Sequence, residues 1–413
     1  MSAPYRRGAC PGLSAPMLTG DGLLVRLMPT APIALDAFAA LCAVARAHGN
    51  GTIEITSRGS LQVRGLTPDS APRFATAVAS LEIAAMEGVP VIADPVLDDP
   101  SSLVDAAAIA SAVRRAIADA HLVLAPKVSV VIDGGGRLHL DALTADIRLR
   151  AIGTRLHVAL GGDAASATPL GSIALDRAAA MVVRLLGVIA QQGPTARARD
   201  VLRDHGMAAF RGAVDHDLAA APHLPPRPPA EPIARHPLRD GTVALGVALA
   251  FGHAQADALR ELARAAAECG ARMARPAPDR ALLLIGFAAH DAATLGAALE
   301  SRGFITRADD PRLRVVACPG APACASGLIA ARAIAAEIAQ HQLPDSGTIH
   351  VSGCAKGCAH PAPAALTIVG TEHGCGIVRN GSARATPDRY VDPADLAGEI
   401  VRAVTPIREA AHG

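Results

Sequence analysis

The sequence predicts an α+β protein with mixed sheets, organised as two similar halves. The first observation is a strand–helix–strand pattern at matching offsets on both sides of a proline-rich segment, 221–232. The second is a set of glycine-bounded apolar runs, typical of strands, that alternate with apolar residues at helical spacing. A strand–helix–strand unit is common, so coincidence is the alternative to a true internal repeat.

The first half begins with a short apolar strand and a helix that a Gly-Asn-Gly run ends at 49–51. Glycine after the last periodic residue is typical of a helix C-terminus. Three glycines after Asp133 predict a hairpin turn, because glycine tolerates a positive φ. The predicted elements are strand 22–27, helix 35–48, strands 52–56 and 60–65, and hairpin strands 127–132 and 137–140.

The second half repeats the strand, helix and strand, and then adds a helix between two cysteine pairs. That helix has an apolar face that includes Ile334, and Ser326 is its expected N-cap. Cys324 would then lie at the helix N-terminus, where free N–H groups favour a thiolate. The predicted elements are strand 241–249, helix 255–269, strand 281–286, helix 327–340, strand 348–352, and hairpin strands 365–370 and 376–379.

The composition argues against several classes of protein. Of 413 residues, 39 are Lys or Arg and 38 are Asp or Glu, so charge favours neither nucleic acid nor an anionic membrane as partner. The apolar runs are too short to span a bilayer, and the first residues lack the apolar region of a secretory signal. Eight cysteines in so long a chain indicate metal ligands or reactive thiols rather than a disulfide framework. We therefore expect a cytoplasmic protein.

Two cysteine pairs near the C-terminus carry the most specific signal. Cys318 and Cys324 form a C-x5-C pair, and Cys354 and Cys358 form a C-x3-C pair. Four thiolates can complete the iron tetrahedra of a [4Fe–4S] cluster. Structural zinc is one alternative, although Cys₄ zinc sites usually contain two C-x2-C pairs. Scattered core thiols are the other alternative, and the glycines beside both pairs argue against it.

The cysteine segments resemble those of the siroheme-dependent nitrite and sulfite reductase family. The resemblance rests on the C-x5-C and C-x3-C spacing, and segments 317–324, 351–361 and the Arg-Arg-Gly-Ala-Cys-Pro-Gly run at 6–12 resemble those of one branch of the family. It implies a pseudo-two-fold repeat of ferredoxin-like and nitrite/sulfite-reductase-like α/β modules around a central cleft. The expected segments are an N-terminal arm with the first ferredoxin-like module (1–68), the first reductase-like module (69–220), a Pro-rich linker (221–237), the second ferredoxin-like module (238–305), and the second reductase-like module with the cluster (306–413).

Polar residues at family positions indicate how the cleft would bind a tetrapyrrole. These macrocycles carry many carboxylates, which arginine binds through paired hydrogen bonds. The residues that the resemblance assigns to the carboxylates are Arg58, Gln62, Arg64 and Lys127. Lys356, between two cysteines, would serve the tetrapyrrole or the charge of the cluster. Without the resemblance, Gln62 and Arg64 would also fit the solvated face of a strand, and Lys127 would fit an exposed strand start.

Two departures from the reductases favour a different reaction. The family's second arginine site falls in 88–94, which has no basic residue, and Ser129 stands where a second lysine is expected. Those cations also bind sulfite or nitrite, so their loss favours the branch that modifies a tetrapyrrole in aerobic cobalamin biosynthesis. Similarity to that branch implies precorrin-3A and O₂ as substrates. It also implies hydroxylation at C20 with γ-lactone formation from the ring A acetate, a [4Fe–4S] cluster and an additional mononuclear iron.

The electron source and two other functions stay open. No nicotinamide or flavin motif is visible, so we expect electrons from an external reductase or a reduced pyridine nucleotide. One alternative function is a small siroheme-dependent sulfite or nitrite reductase. The other is a non-catalytic carrier of a tetrapyrrole or cluster, which would bind without turnover.

Two residues are weaker candidates for an extra iron site or the active site. Cys10 lies in an Ala-Cys-Pro-Gly run that recurs at 317–320, so an N-terminal arm could fold over the site; a free terminal cysteine is the alternative. His360 follows the second cysteine pair directly, although a structural histidine is the commoner case there. The remaining cysteines have no assigned role: Cys42 and Cys269 are expected in the core, and Cys375 in a turn.

Overall fold

Four five-stranded sheets form the framework of this computed structural model, which describes residues 11–214, 218–220, 224–340, 347–393 and 395–396. Cys10 lies outside the described residues, as do parts of the expected segments 1–68, 69–220, 221–237 and 306–413.

The strands before the linker are β1 (Met17–Thr19), β2 (Gly22–Leu27), β3 (Ile33–Ala34), β4 (Thr52–Ile55), β5 (Leu61–Leu66), β6 (Val91–Ala93), β7 (Val130–Asp133), β8 (Ala145–Ile152), β9 (Arg155–Gly162) and β10 (Thr168–Ala174). The strands after it are β11 (Arg235–Pro237), β12 (Val243–Ala248), β13 (His253–Gln255), β14 (Met273–Ala277), β15 (Ala281–Phe287), β16 (Val315–Ala317), β17 (Ile349–Ser352), β18 (Ala364–Thr371), β19 (Gly374–Gly381) and β20 (Arg389–Val391).

The α-helices within the described residues are α1 (Leu35–His48), α2 (Ser70–Ala79), α3 (Ala106–Ala120), α4 (Ala178–Gln191), α5 (Ala198–His205), α6 (Ala208–Val214), α7 (Ala256–Glu268), α8 (Ala292–Glu300) and α9 (Ala331–Ile338). In this part of the chain, no helix combines the length and apolar character needed to cross a membrane.

The two halves exchange edge strands. Sheet I has the order β1-β2-β5-β4-β13, and sheet III has the order β11-β12-β15-β14-β3. Each sheet therefore ends on a short strand from the other half: β13 pairs with β4, and β3 pairs with β14. Helices α1 and α7 also pack together, and one apolar core contains residues of both sheets. The halves are thus joined by backbone hydrogen bonds as well as by apolar burial.

The other two sheets share one topology. In sheet II, β6, β7 and β8 are parallel neighbours, and β9 and β10 continue antiparallel. Sheet IV repeats this order with β16 to β20. Helix α3 connects β6 to β7, and α9 lies between β16 and β17, as parallel neighbours require. Since β6 and β7 are parallel, their C-terminal ends meet at one edge, and the same holds for β16 and β17.

The predicted hairpin at 127–140 is wrong. The strand Val130–Asp133 is present, but it lies parallel to β8, and 137–140 form no strand. The Asp133 carboxylate accepts the N–H of Gly135 at 2.8 Å and that of Leu140 at 3.3 Å. These side-chain bonds fold the glycine run around Asp133, so the chain does not return antiparallel.

The helix predicted at 327–340 begins later than expected, at Ala331. Gly327 donates instead to the Cys324 carbonyl at 2.8 Å, and Leu328 donates to the Gly353 carbonyl at 2.7 Å. Ser326 is therefore not the N-cap, and Cys324 does not lie at a helix N-terminus. The expected linker also contains structure, because Arg235–Pro237 forms strand β11 and pairs with β12.

Candidate functional site

A cavity of about 580 Å³ opens between sheet I and the loops at the edges of sheets II and IV. Its volume is in the range of small-molecule and cofactor sites. Side chains from both halves line it: Arg26, Met28, Glu54, Arg58, Gln62, Lys127, Ser129, Arg197, Phe251, Arg280, Cys318, Arg332 and Cys358. We call this the main cavity.

The main cavity is strongly basic. Its lining includes five arginines and one lysine, against a single carboxylate, Glu54. Part of this charge is already balanced, because Arg332 donates to Glu54 at 2.5 Å and Arg197 forms an ion pair with Asp146 at 2.7 Å. The excess of cations remains, and a ligand with several carboxylates would complement it.

Arg58 is held in the turn between β4 and β5. Its guanidinium donates to the Thr144 carbonyl at 2.8 Å and to Ser129 Oγ at 3.1 Å. Burial, followed by repulsion from Arg197, lowers the pKa of Arg58 below its usual range. The two bonds tie the sheet I turn to the residues just before β7 and β8 of sheet II, so Arg58 reaches the cavity from a fixed position.

Gln62 lies on β5 and faces the main cavity, while being nearly buried. In the amide orientation that satisfies its neighbours, it accepts from Arg26 at 2.7 Å and donates to Glu54 at 3.0 Å. Gln62 thereby connects two charged groups of the wall. Lys127 also lines the cavity, from the loop before β7, and its side chain is exposed.

Arg64 lies outside the main-cavity lining, in contrast to the expectation for a substrate-binding residue. Its guanidinium pairs with Asp21 at 2.8 Å and donates to the Ala323 carbonyl at 2.6 Å, inside the first cysteine segment. Burial alone would lower the pKa of Arg64, but the bond to Asp21 and the negative charges of Glu54 and Asp21 together outweigh burial, so the pKa is raised. Arg64 therefore supports the cysteine segment rather than the cavity surface.

The four cysteines predicted as ligands lie on two crossing loops at the edge of sheet IV. Cys318 accepts the Gly353 N–H at 3.0 Å, which places the start of one loop against the start of the other. Burial raises the pKa of the Cys318 thiol, the N–H groups of Gly353 and Gly320 oppose this shift, and the charges of Cys324 and Cys354 add to it. Cys318 and Cys358 both reach the main cavity.

Glycines allow the two loops to approach closely. A Cβ on Gly353 would lie 2.9 Å from Gly320 Cα, and a Cβ on Gly327 would lie 2.6 Å from the Gly320 carbonyl carbon. Gly20 fits against the first loop from the other side, where a Cβ would lie 2.7 Å from the Ala325 nitrogen. Four free thiols on such loops, with N–H groups directed at sulfur, fit the donor set of a [4Fe–4S] cluster.

Lys356 and His360 lie close to the cysteines but not in the main-cavity lining. The Lys356 ammonium donates to Ser326 Oγ at 2.8 Å, so it connects the two cysteine loops. His360 is 5.7 Å from the buried ring of His350, centre to centre. Among the described residues, no set of three His, Cys, Asp or Glu donors within 4.8 Å includes His360. Within this part of the chain, His360 therefore belongs to no preformed three-donor iron site.

Arg26, Arg197, Arg280 and Arg332 line the main cavity but were missed from the sequence. The internal repeat contains a signal for one of them. Arg58 lies between β4 and β5, and Arg280 lies between the corresponding strands β14 and β15. Arg280 also donates to the Ala359 carbonyl at 3.1 Å, next to Cys358. Aligning the two halves would have identified this arginine.

One further group of possible metal donors lies away from the main cavity. Donor atoms of Asp133, His139 and Asp141 lie within 4.8 Å of one another. The guanidinium of Arg227, from the linker, hydrogen-bonds both carboxylates. His139 Nε2 is also 2.8 Å from the Pro228 carbonyl. The linker arginine thus pairs with both acids, and these bonds fasten the linker to sheet II.

Comparisons with known proteins agree with this architecture. The family described as "Nitrite/Sulfite reductase ferredoxin-like half domain" matches residues 16–81. A precorrin-3B synthase of Sinorhizobium sp. is 39% identical over 411 residues, which cover 97% of this chain and 88% of the relative. A ferredoxin sulfite reductase of Synechococcus elongatus is 25% identical over 303 residues, covering 64% of this chain and 48% of that protein.

The structural comparison supports the fold independently. The Mycobacterium tuberculosis NirA protein superposes with a TM-score of 0.74, covering 95% of this chain and 82% of that one, at 18% identity. At this identity the match concerns the fold alone. It agrees with the predicted α+β arrangement of ferredoxin-like and reductase-like modules.

Proposed function

Because the chain belongs to the precorrin-3B synthase family, within the nitrite and sulfite reductase-like proteins, we propose that it hydroxylates precorrin-3A with O₂. The hydroxyl group would be introduced at C20, and the ring A acetate would close a γ-lactone. The reaction would belong to aerobic cobalamin biosynthesis, with electrons from an external reductase or a reduced pyridine nucleotide.

One observation carries the proposal: a basic cavity of about 580 Å³ has two of the candidate cluster cysteines, Cys318 and Cys358, in its wall. A tetrapyrrole polycarboxylate matches both the size and the charge of this cavity. A [4Fe–4S] cluster held by Cys318, Cys324, Cys354 and Cys358 would supply single electrons beside it.

The protein residues then act by binding and orientation. Arg58 is pre-positioned by its bonds to Ser129 and Thr144 of sheet II, and Arg280 is fixed by the Ala359 carbonyl. Two fixed cations, one from each half of the chain, can hold different carboxylates of one macrocycle, which restricts its rotation and places C20. Lys127, exposed at the rim, would contact a carboxylate that remains near solvent. Lys356 would instead maintain the contact between the cysteine loops.

The decisive experiment is incubation of the anaerobically purified protein with precorrin-3A, an electron donor and ¹⁸O₂. We expect a product that carries one heavy oxygen at C20, detected by mass spectrometry. A product without heavy oxygen would refute the hydroxylation. Binding of precorrin-3A without turnover would instead favour a carrier.

The reductase alternative predicts a different spectrum. A siroheme protein has strong visible absorption bands, whereas a cluster alone gives a broad brown absorbance. Strong siroheme bands together with sulfite or nitrite reduction would therefore replace the proposed function. Zinc without acid-labile sulfide would contradict both enzymatic functions.

A further inference from the structure

A small second cavity of about 30 Å³ lies beside the main cavity. Its wall includes Met28, Arg58, Met86, Arg114, Arg275 and Pro278. Met28 and Arg58 also line the main cavity, so the two spaces share part of a wall. We call this second space the annex. A water-sized group needs about 10–15 Å³ by this measure, so the annex has room for about two such groups.

Arg275 makes the annex unusual. It lies on β14 and is only 6% exposed, and its side chain forms no hydrogen bond with the described residues. One terminal nitrogen of its guanidinium is completely enclosed and has no acceptor. Arg114 also has an enclosed Nε without an acceptor. Its terminal Nη2 donates to the Val91 carbonyl over a long distance, 3.3 Å. A buried guanidinium and a half-buried one, each with an enclosed nitrogen that has no acceptor, therefore line the same space.

The nearby acid does not satisfy these donors. Asp94 is close enough to favour the charged form of Arg275, but no hydrogen bond joins the two groups within the described structure. One carboxylate oxygen of Asp94 accepts the Gly134 N–H at 2.8 Å instead. Burial, followed by repulsion from Arg114, lowers the pKa of Arg275 to about 10, which still leaves it charged at neutral pH. A buried cation without a bonded partner is costly, and an anion would relieve that cost.

We propose that the annex binds one carboxylate through Arg275 and Arg114. If the proposed function holds, on which this assignment of the source rests, the carboxylate is an acetate or propionate arm of the tetrapyrrole in the main cavity. The two oxygens of a carboxylate match the available space and the two donors. Only one carboxylate arm of the macrocycle can enter the annex at a time. Binding that arm would therefore fix the rotation of the macrocycle in the main cavity.

The test compares Arg275→Met with Arg148→Met, using uroporphyrin III as an octacarboxylic probe and its fluorescence anisotropy as the signal. Arg148 is equally buried, but it donates to the Leu140 and Leu143 carbonyls. We expect Arg275→Met to weaken probe binding about tenfold to a hundredfold, since hydrogen bonds to charged groups are lost. Arg148→Met should leave binding by the folded protein unchanged.

Thermal unfolding without ligand gives a second readout, in which Arg275→Met should improve the protein's stability rather than weaken a property. Removing an unpartnered cation should raise the Tm of Arg275→Met by about 1–3 °C, whereas Arg148→Met should lower it. Sodium acetate should raise the Tm of the unsubstituted protein but not that of Arg275→Met. Acetate could have this effect while the unsubstituted protein and Arg275→Met bind uroporphyrin equally. In that case the annex binds a carboxylate, but one from a free small molecule rather than from the tetrapyrrole.

The two proposals can fail separately. Equal uroporphyrin affinities and no differential effect of acetate would overturn the annex proposal, leaving water as the occupant. If Arg280→Asn in the main cavity weakens binding in the same experiment, the proposed function survives that outcome. If uroporphyrin binds none of the proteins, the tetrapyrrole function fails, and the acetate experiment alone decides on the annex.

Discussion

Asp94 occupies in the first half the position that Cys318 occupies in the second. Each residue directly follows the outer parallel strand of its sheet, β6 or β16. The Asp94 carboxylate accepts the Gly134 N–H at 2.8 Å, and the Cys318 thiol accepts the Gly353 N–H at 3.0 Å. The N–H groups of Gly134 and Gly353, which each follow the next parallel strand, thus donate to an oxygen in one half and to a sulfur in the other.

The linker closes the corresponding site of the first half. Asp133 ends β7 as Ser352 ends β17, and the guanidinium of Arg227 pairs with Asp133. Burial, followed by the charge of Asp133, raises the pKa of Asp94 well above its usual range. At this edge the first half therefore has buried carboxylates beside one arginine, where the second half has cysteines.

Replacing Cys318 with serine tests the cluster directly. Serine is a poor substitute for a thiolate ligand, so we expect Cys318→Ser to lose nearly all iron, acid-labile sulfide and activity. Cys375→Ser is the matched control, because Cys375 is also buried in sheet IV but belongs to neither cysteine pair. Iron and sulfide analysis with EPR would decide. A full cluster content in Cys318→Ser would exclude Cys318 as a ligand.

Gly353→Ala tests the close approach of the cysteine loops. The added Cβ would lie 2.9 Å from Gly320 Cα and 3.4 Å from Cys318 Sγ, so backbone must move. We expect a loss of about 1–3 kcal/mol in unfolding free energy and a lower cluster content. Gly187→Ala is the control, because that Cβ meets nothing within 4 Å in helix α4. It should stabilise the protein by up to about 1 kcal/mol in urea unfolding. Equal stabilities for the two variants would contradict the packing argument.

The sequence allowed the fold and part of the main cavity to be predicted. Local patterns located α1 and the β18–β19 hairpin, because glycine stops and apolar periodicity act over a few residues. Arg58 and Gln62 were found through their segment, and both line the cavity. Arg332 was not found, because only the folded structure brings its side chain to Glu54 on β4, far away in sequence.

Two errors have a common physical origin. The strand expected at 137–140 and the N-cap expected at Ser326 were both inferred from local propensity. In the structure, Asp133 and Gly353 supply acceptors that redirect the backbone at these places. Such long-range or side-chain bonds do not appear in any local pattern. The exchange of β3 and β13 was equally invisible, because two- and three-residue strands carry almost no periodic signal.

Arg280→Asn tests the arginine that the repeat would have identified. Arg280 has a φ of +61°, and asparagine tolerates this left-handed conformation while removing the charge. We expect KM for precorrin-3A to rise about tenfold or more, because a carboxylate loses a charged hydrogen bond. Arg264→Gln, on the exposed face of α7, is the control and should keep KM unchanged. An unaltered KM in Arg280→Asn would remove Arg280 from the binding set.

Arg227→Met tests the attachment of the linker. Asp133 is 1% exposed, so removal of Arg227 leaves a buried carboxylate without its cation. We expect a loss of about 3 kcal/mol in unfolding free energy, measured in urea. Arg203→Met is the control, because its partners Asp200 and Asp204 lie at the surface, and it should cost less than about 1 kcal/mol. Similar losses for both variants would show that the linker contact is no stronger than a surface ion pair.

His253 should make folding sensitive to mild acid. Burial, followed by repulsion from Arg332, lowers the pKa of His253 from 6.5 to about 4, and its Nδ1 has no hydrogen-bond partner. In the unfolded chain the imidazole takes up a proton below pH 6.5, whereas the folded protein resists this down to about pH 4. The stability contributed by neutral His253 is thus complete above pH 6.5 and is lost as the pH falls towards 4, by up to about 3 kcal/mol.

His253→Gln should remove this part of the pH dependence. Urea unfolding at pH 7 and pH 4.5 would measure it as a smaller difference between the two free energies than in the unsubstituted protein. His290→Gln is the control, because the His290 side chain is 84% exposed, and it should keep the full difference. Carboxylates titrate in the same range, but they are common to all three proteins and cancel in the comparison. If His253→Gln and His290→Gln lose the same stability on acidification, the buried imidazole does not control this transition.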